Sequence, residues 1–391
     1  MRTNNAKKIS KNIAIMYATA FFGGMLFFLP ILALYFEKTL FTATNIAIIF
    51  TVDAFAGIIF EIPTGAIADL FGRKKNLIFS NLILLCALLF LYIGGSITIF
   101  IIYAILNALA RTMASGTDAA ILYDILKEEG RENLFKKIIG IYFALWPLGA
   151  TIGSLAGGYL AKLSLQSTIF FSFIPITLVL FLTFFLREPK YEKVKRTSIL
   201  RHMTNASTFV FKNKQLVILG LATFIAGGVG DTRNFLGPLF FRFKNLPLEY
   251  FGLVSALTLL LMSFGYYSSN YVSKKIGNKK TLVLVYLIAP FFIFAATITA
   301  GFPLVALWTL PAILFGLKNP IIMHLLNAET DSNQRATIIS INSFMCQLGI
   351  VVIAPLFGYL IDLYNIQTAV QLLVAPVLLV SILFIFLKEK K

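Results

Sequence analysis

Apolar runs of about 20 residues recur from one end of the sequence to the other, separated by short polar breaks. A run of that length crosses roughly 30 Å of hydrocarbon as a helix. The pattern predicts about twelve such helices, over 11–36, 43–66, 75–95, 97–122, 135–162, 165–187, 214–241, 247–270, 279–300, 302–327, 336–360 and 367–387. A membrane β-barrel needs short segments of alternating polarity, which the sequence lacks. Prolines inside the runs (Pro30, Pro147, Pro175, Pro290, Pro311, Pro355) do not argue against helix, because neighbouring helices can satisfy the freed backbone groups. The fold class expected is an all-α membrane protein.

Composition strengthens this reading. Of 391 residues, 58% are hydrophobic and 13% charged, whereas soluble domains carry about 25% charged residues. The net charge of +17 invites a nucleic-acid partner, but the basic residues fall on alternate loops. One side holds Lys7, Lys8 and Lys11; Arg73, Lys74 and Lys75; Arg131, Lys136 and Lys137; the stretch from Arg187 to Lys214; Lys274, Lys275, Lys279 and Lys280; and the Lys388–Lys391 tail. The other side holds only Lys38, Lys162, Arg242 and Lys244. This bias predicts that both termini lie in the cytoplasm. The charge is therefore expected to meet anionic lipid heads, not nucleic acid. The first run is too long for a signal-peptide core and has no obvious cleavage site, so it reads as a retained helix. Cys86 and Cys346 fall inside runs without metal or disulfide spacing and read as buried apolar residues. No cofactor, metal site or nucleophile constellation is expected, and an enzyme is not.

The longest polar connection, near 188–213, divides the chain into an N-terminal half (1–187) and a C-terminal half (214–391) of six runs each. The halves repeat weakly. Ala68-Asp69-Leu70-Phe71-Gly72-Arg73-Lys74-Lys75-Asn76-Leu77 is echoed about 205 positions later by Ser273-Lys274-Lys275-Ile276-Gly277-Asn278-Lys279-Lys280-Thr281-Leu282. Gly158-Tyr159-Leu160 is echoed by Gly358-Tyr359-Leu360. Same-direction repeats are a transporter architecture, with the substrate path between the halves.

The segment Gly65-Ala66-Ile67-Ala68-Asp69-Leu70-Phe71-Gly72-Arg73-Lys74-Lys75 resembles the signature loop of the major facilitator superfamily, and sits between the second and third runs as it does there. The resemblance implies twelve helices in two six-helix pseudo-symmetric halves, alternating access, and a cytoplasmic latch made by Gly65, Asp69, Gly72, Arg73 and Lys74. Gly72 allows a tight turn, and Asp69 can face a helix N-terminus or an arginine. The second copy has Lys274 where Asp69 would align, so its latch is expected to be weaker. Gly140, Gly149, Gly153, Gly157 and Gly158 resemble the glycine motif of the family's drug/proton antiporters, with Ser154 where that motif has proline. Small residues at this period let helices approach closely. Glu61-Ile62-Pro63-Thr64-Gly65, Ser115-Gly116-Thr117-Asp118 and Tyr123-Asp124 add a likeness to prokaryotic efflux permeases, which implies a place in the plasma (inner) membrane of a prokaryote.

Ionisable residues inside membrane runs are costly and point to function. They are Asp53 and Glu61, Arg111 and Asp118, Asp231 and Arg233, and Lys318 and His324. Asp53, Glu61 and Asp231 are the proton-coupling candidates, with Arg111 and Arg233 as buried charge partners. Gly227, Gly228 and Gly230 suggest an irregular stretch before Asp231. Tyr142 and Trp146, four apart on one helix face, are candidates for lining a substrate cavity. The expected function is secondary active transport, as proton-coupled efflux of small lipophilic or drug-like molecules. The alternative is uptake of a polar or anionic solute by proton symport or facilitated diffusion. The expected partners are a small-molecule substrate, protons and the lipid bilayer, and the expected working form is a monomer.

Overall fold

A computed structural model describes residues 10–189, 213–330 and 335–387, without the side chains of 62, 65–71 and 335–337. Every regular element among the described residues is helical: α1 (Lys11–Gly24), α2 (Leu32–Leu40), α3 (Ala43–Phe71), α4 (Arg73–Ile93), α5 (Ile97–Ala114), α6 (Thr117–Glu128), α7 (Phe135–Leu160) and α8 (Leu165–Phe184). Beyond the expected linker, which lies largely outside the described residues, follow α9 (Lys214–Phe243), α10 (Leu248–Ile276), α11 (Asn278–Thr297), α12 (Gly301–Thr309), α13 (Pro311–Ala328), α14 (Arg335–Leu363), α15 (Ile366–Leu372) and α16 (Val374–Ile385). Among the described residues, twelve helical stretches are long and apolar enough to cross a membrane.

Local chemistry sets the starts. Ser10, Ser96, Ser164, Asn213 and Asn365 each accept a hydrogen bond from a first-turn backbone N–H of α1, α5, α8, α9 and α15. Four predicted spans are divided, the tenth at Leu310 and the twelfth at Leu373 among them. The first divides at residues 25–31 between α1 and α2, where Pro30 lies in a 3₁₀ turn. The fourth divides between α5 and α6, where Gly116 takes the left-handed conformation (φ 75°) that other residues resist.

The chain forms two compact units, one of residues 1–30 and 56–195, the other of 31–55 and 196–391. In the first, α1 packs on α7 and α8, and α4 on α5 and α8. Its core gathers Ile13, Met16, Leu77, Ile121, Leu122, Leu126 and Leu186. In the second, α9 packs on α14, α16 and α2, α10 on α13, and α11 on α16 and α13. There Phe240 stacks on Trp308 with centroids 5.0 Å apart.

Residues 31–55 are held in the second unit by directed contacts. Asp362 on α14 accepts from the backbone N–H groups of Ala43 (2.7 Å) and Thr44 (2.9 Å), capping α3. Arg242 pairs with Glu37 at 2.7 Å, and Phe50 stacks on Phe235 with centroids 4.6 Å apart.

Candidate functional site

The turn between α3 and α4 is built on Gly72, whose φ of 101° needs the absence of a Cβ. The backbone N–H groups of Arg73 and Lys74 donate to the two carboxylate oxygens of Glu188, at 2.8 and 2.9 Å. A carboxylate thus meets the positive end of α4. The Arg73 guanidinium pairs with Asp124 on α6, and Lys74 Nζ donates to the Phe184 carbonyl at 2.8 Å. Asn76 Nδ2 reaches the Met113 carbonyl and Thr117 Oγ1 (3.0 Å), tying α4 to the α5–α6 break. Gly65 and Asp69 lie in α3, but their side-chain positions are outside the described residues. Gly277 opens α11 with φ 90° and ψ 152°, close to the φ 101° and ψ 143° of Gly72. The repeat is therefore a repeat of backbone shape as well as of sequence.

Three of the five motif glycines on α7 meet the end of α1 and the segment after it. A Cβ on Gly149 would strike the Phe21 carbonyl of α1, one on Gly157 the Phe27 carbonyl, and one on Gly153 would crowd the backbone of Met25 and Leu26. Gly24 answers from α1 against the Trp146 carbonyl. Gly140 faces open space, and Gly158 is buried.

The paired cavity residues part company. Tyr142 is 8% exposed, packed in the first unit's core, and its hydroxyl hydrogen-bonds Asp118. Trp146 is 44% exposed. Tyr142 is thus packed in the core of the first unit, with Asp118 as its hydroxyl partner.

Among the charges, Asp53 is half-buried, while Glu61, Arg111 and His324 are exposed. Arg111 lies within the fourth candidate span, with its side chain at the protein surface. Arg233 is buried, at 4% exposure, with its guanidinium carbon 4.8 Å from the Trp308 ring centroid and 5.8 Å from that of Phe315. The stretch before Asp231 is regular helix instead of an irregular one. Its glycines serve packing: a Cβ on Gly227 would meet Cys346, and one on Gly228 would meet Gly349 of α14. Asp231 is half-buried, four residues beyond Gly227, with Cys346 Sγ 3.7 Å from its Oδ2.

Gly227 and Cys346, the latter in contact with Asp231, line a cavity of about 510 Å³ in the second unit, a size typical of small-ligand sites. Its polar wall comes from Thr223 of α9, Tyr266 of α10, Lys318 and Asn319 of α13, and Asn342 and Cys346 of α14. Lys318 Nζ lies 5.5 and 5.7 Å from the ring centroids of Phe315 and Tyr286, within electrostatic reach of Asp231. Among the described residues no cluster of three or more metal-ligating side chains occurs.

The sequence matches the family model described as Major Facilitator Superfamily over residues 13–317 and 245–391. The chain belongs to the major facilitator superfamily. This major facilitator is a multi-pass membrane transporter of small molecules and not an enzyme. It is 25% identical to the uncharacterised MFS-type transporter YxaM of Bacillus subtilis, covering 83% of this chain and 82% of that one. It is 24% identical to multidrug resistance protein 2 of the same organism, over 76% and 75%. In fold it is similar to the nucleoside transporter NupG, with TM-score 0.78, 15% identity, and coverage of 96% of this chain and 97% of that one.

In this major facilitator, Glu188, Asp124 and Asp362 are the carboxylates that sequence reasoning left out of its site. Glu188 reads from the sequence as the first residue of the linker and Asp124 stands in a noted motif, but neither carries its partner in its own segment. Lys318 and Asn342 share the cavity wall although they lie on different spans.

Proposed function

We propose that this transporter exports small lipophilic molecules in exchange for protons, by alternating access of its two halves, 1–187 and 214–391, joined by 188–213. The observation that carries the reading is Asp231, a half-buried carboxylate within a membrane span, beside a ligand-sized cavity. An acid so placed can take up the coupling proton as substrate leaves. Asp53 and Glu61 are the other coupling candidates. The direction is supported by relatives named for multidrug and tetracycline resistance. The turn at Gly65, Asp69, Gly72, Arg73 and Lys74 serves as the inner latch, and the chain works as a monomer with both termini cytoplasmic.

In everted membrane vesicles, a transported lipophilic dye should dissipate a preformed proton gradient. Asp231→Asn should reduce that response at least about tenfold, as expected when a required intramembrane acid is lost. Full responses in both Asp231→Asn and Asp53→Asn would remove the coupling assignment. A second reading, uptake of an anionic solute, is favoured by Lys318 in the cavity wall. It requires whole cells to accumulate a labelled acid in a Lys318-dependent way.

A further inference from the structure

The cavity wall in the second unit is largely apolar, and several of its few polar groups present hydrogen-bond donors. The Tyr266 hydroxyl accepts from Asn319 Nδ2 at 2.7 Å, which leaves its own proton for an acceptor in the cavity. Asn342 Oδ1 accepts from Thr223 Oγ1 at 2.8 Å, which leaves the Asn342 amide N–H groups to donate. Lys318 adds an ammonium with three donors and no acceptor. Pro320, Ile322 and Met323 supply apolar wall beside these groups.

The charge balance has the same sign. Phe315 is flanked by two cations, Lys318 at 5.5 Å and Arg233 at 5.8 Å from its centroid. Arg233 Nε and Nη1 are buried without a hydrogen-bond partner among the described residues. Asp231 is the carboxylate within reach of Lys318. Among the described residues, these two cations against one carboxylate leave a local excess of one positive charge. In a low-dielectric surrounding such an excess attracts an anion and repels a cation strongly.

We infer that this cavity binds the acid headgroup of an amphipathic organic anion, with Lys318 as its charge partner and Tyr266 and Asn342 as its donors. The apolar wall takes the body of the molecule. This names a substrate class for the export reading and rests on that reading for passage across the membrane, though not for binding. A lipophilic cation would have to desolvate against Lys318. A neutral ligand would leave the excess charge where it is.

The test uses three probes of nearly equal shape on the purified full chain in detergent: 2-naphthoate, 2-naphthamide and 2-naphthylmethylammonium. Calorimetry and thermal shift should rank naphthoate first, by at least about tenfold over the amide, the usual scale for a charge-assisted hydrogen bond. Lys318→Gln should erase that preference, and Lys318→Arg should keep most of it, with unliganded melting unchanged in both. Tyr266→Phe gives an independent check, expected to weaken naphthoate several-fold and leave the amide as it was. Equal binding of acid and amide, tighter binding of the cation, or an intact preference in both Lys318→Gln and Tyr266→Phe would overturn the assignment. Naphthoate binding without proton movement in vesicles would retain this site and remove the coupling reading. Proton-coupled dye export with no preference for the acid would do the reverse.

Discussion

At the scale of single residues, the turn around Gly72 shows how a short motif becomes a junction. Gly72 and Arg73 are legible in the sequence because they sit in a recognisable turn. Their partners are not, because Asp124 and Glu188 lie 51 and 115 residues beyond Arg73 and only the fold brings them in. Asp124 is 8% exposed, so removing Arg73 would strand a carboxylate with little access to water. A double-mutant cycle on Arg73→Ala and Asp124→Ala, read by thermal unfolding in detergent, should give a coupling energy of about 1–3 kcal/mol. A coupling near zero would mean the pair is solvent-screened. Glu188→Ala should cost about 0.5–2 kcal/mol, the range for losing a carboxylate that satisfies two helix-start N–H groups. Asp69, prominent in the motif, is not required for that cap, because Glu188 already fills it.

At the scale of elements, the glycines of α7 separate motif from packing. Their period announced a close contact, and the neighbour proves to be the end of α1 with the segment after it, Phe21 touching Gly149, Met25 and Leu26 touching Gly153, and Phe27 touching Gly157 through the backbone. Gly140 belongs to the same pattern but faces open space. The two positions should therefore respond oppositely to one substitution. Gly157→Ala pushes a methyl into the Phe27 carbonyl, and overpacking of that kind costs about 1–3 kcal/mol. Gly140→Ala meets nothing and should be neutral or stabilising by up to about 1 kcal/mol, since alanine is the better helix former. Melting temperatures of the two variants decide the matter, and equal destabilisation would show that the motif acts through something other than this contact. The helix breaks were less legible. Pro30 and Gly116 were visible in the sequence, yet membrane helices often run through such residues, so their presence alone did not locate a break.

At the scale of the whole molecule, the spans were the most legible feature, because hydrocarbon thickness imposes one length on all of them. The cavity was the least legible, since Thr223, Tyr266, Lys318 and Asn342 come from four different spans and none stands in a motif. Orientation lies between these cases: it is written in loop charge, and it decides which face of the molecule the Gly72 turn serves. Arg73, Lys74 and Lys75 follow one span and Lys279 and Lys280 follow another, whereas the loop after Leu160 carries Lys162 as its basic residue. The proposed orientation has the first group in the cytoplasm and Lys162 outside. Alkaline phosphatase, which folds only outside the cytoplasm, should be active when fused after Lys162 and inactive when fused after Gly130 or after Leu387. A fluorescent protein that matures only inside should give the opposite pattern at all three positions. An inverted pattern would put the paired Arg73–Asp124 junction on the outer face, and an inner latch at this turn would then be untenable. Agreement at all three would fix both halves in the same direction, as the matching backbone of Gly72 and Gly277 requires of a parallel repeat.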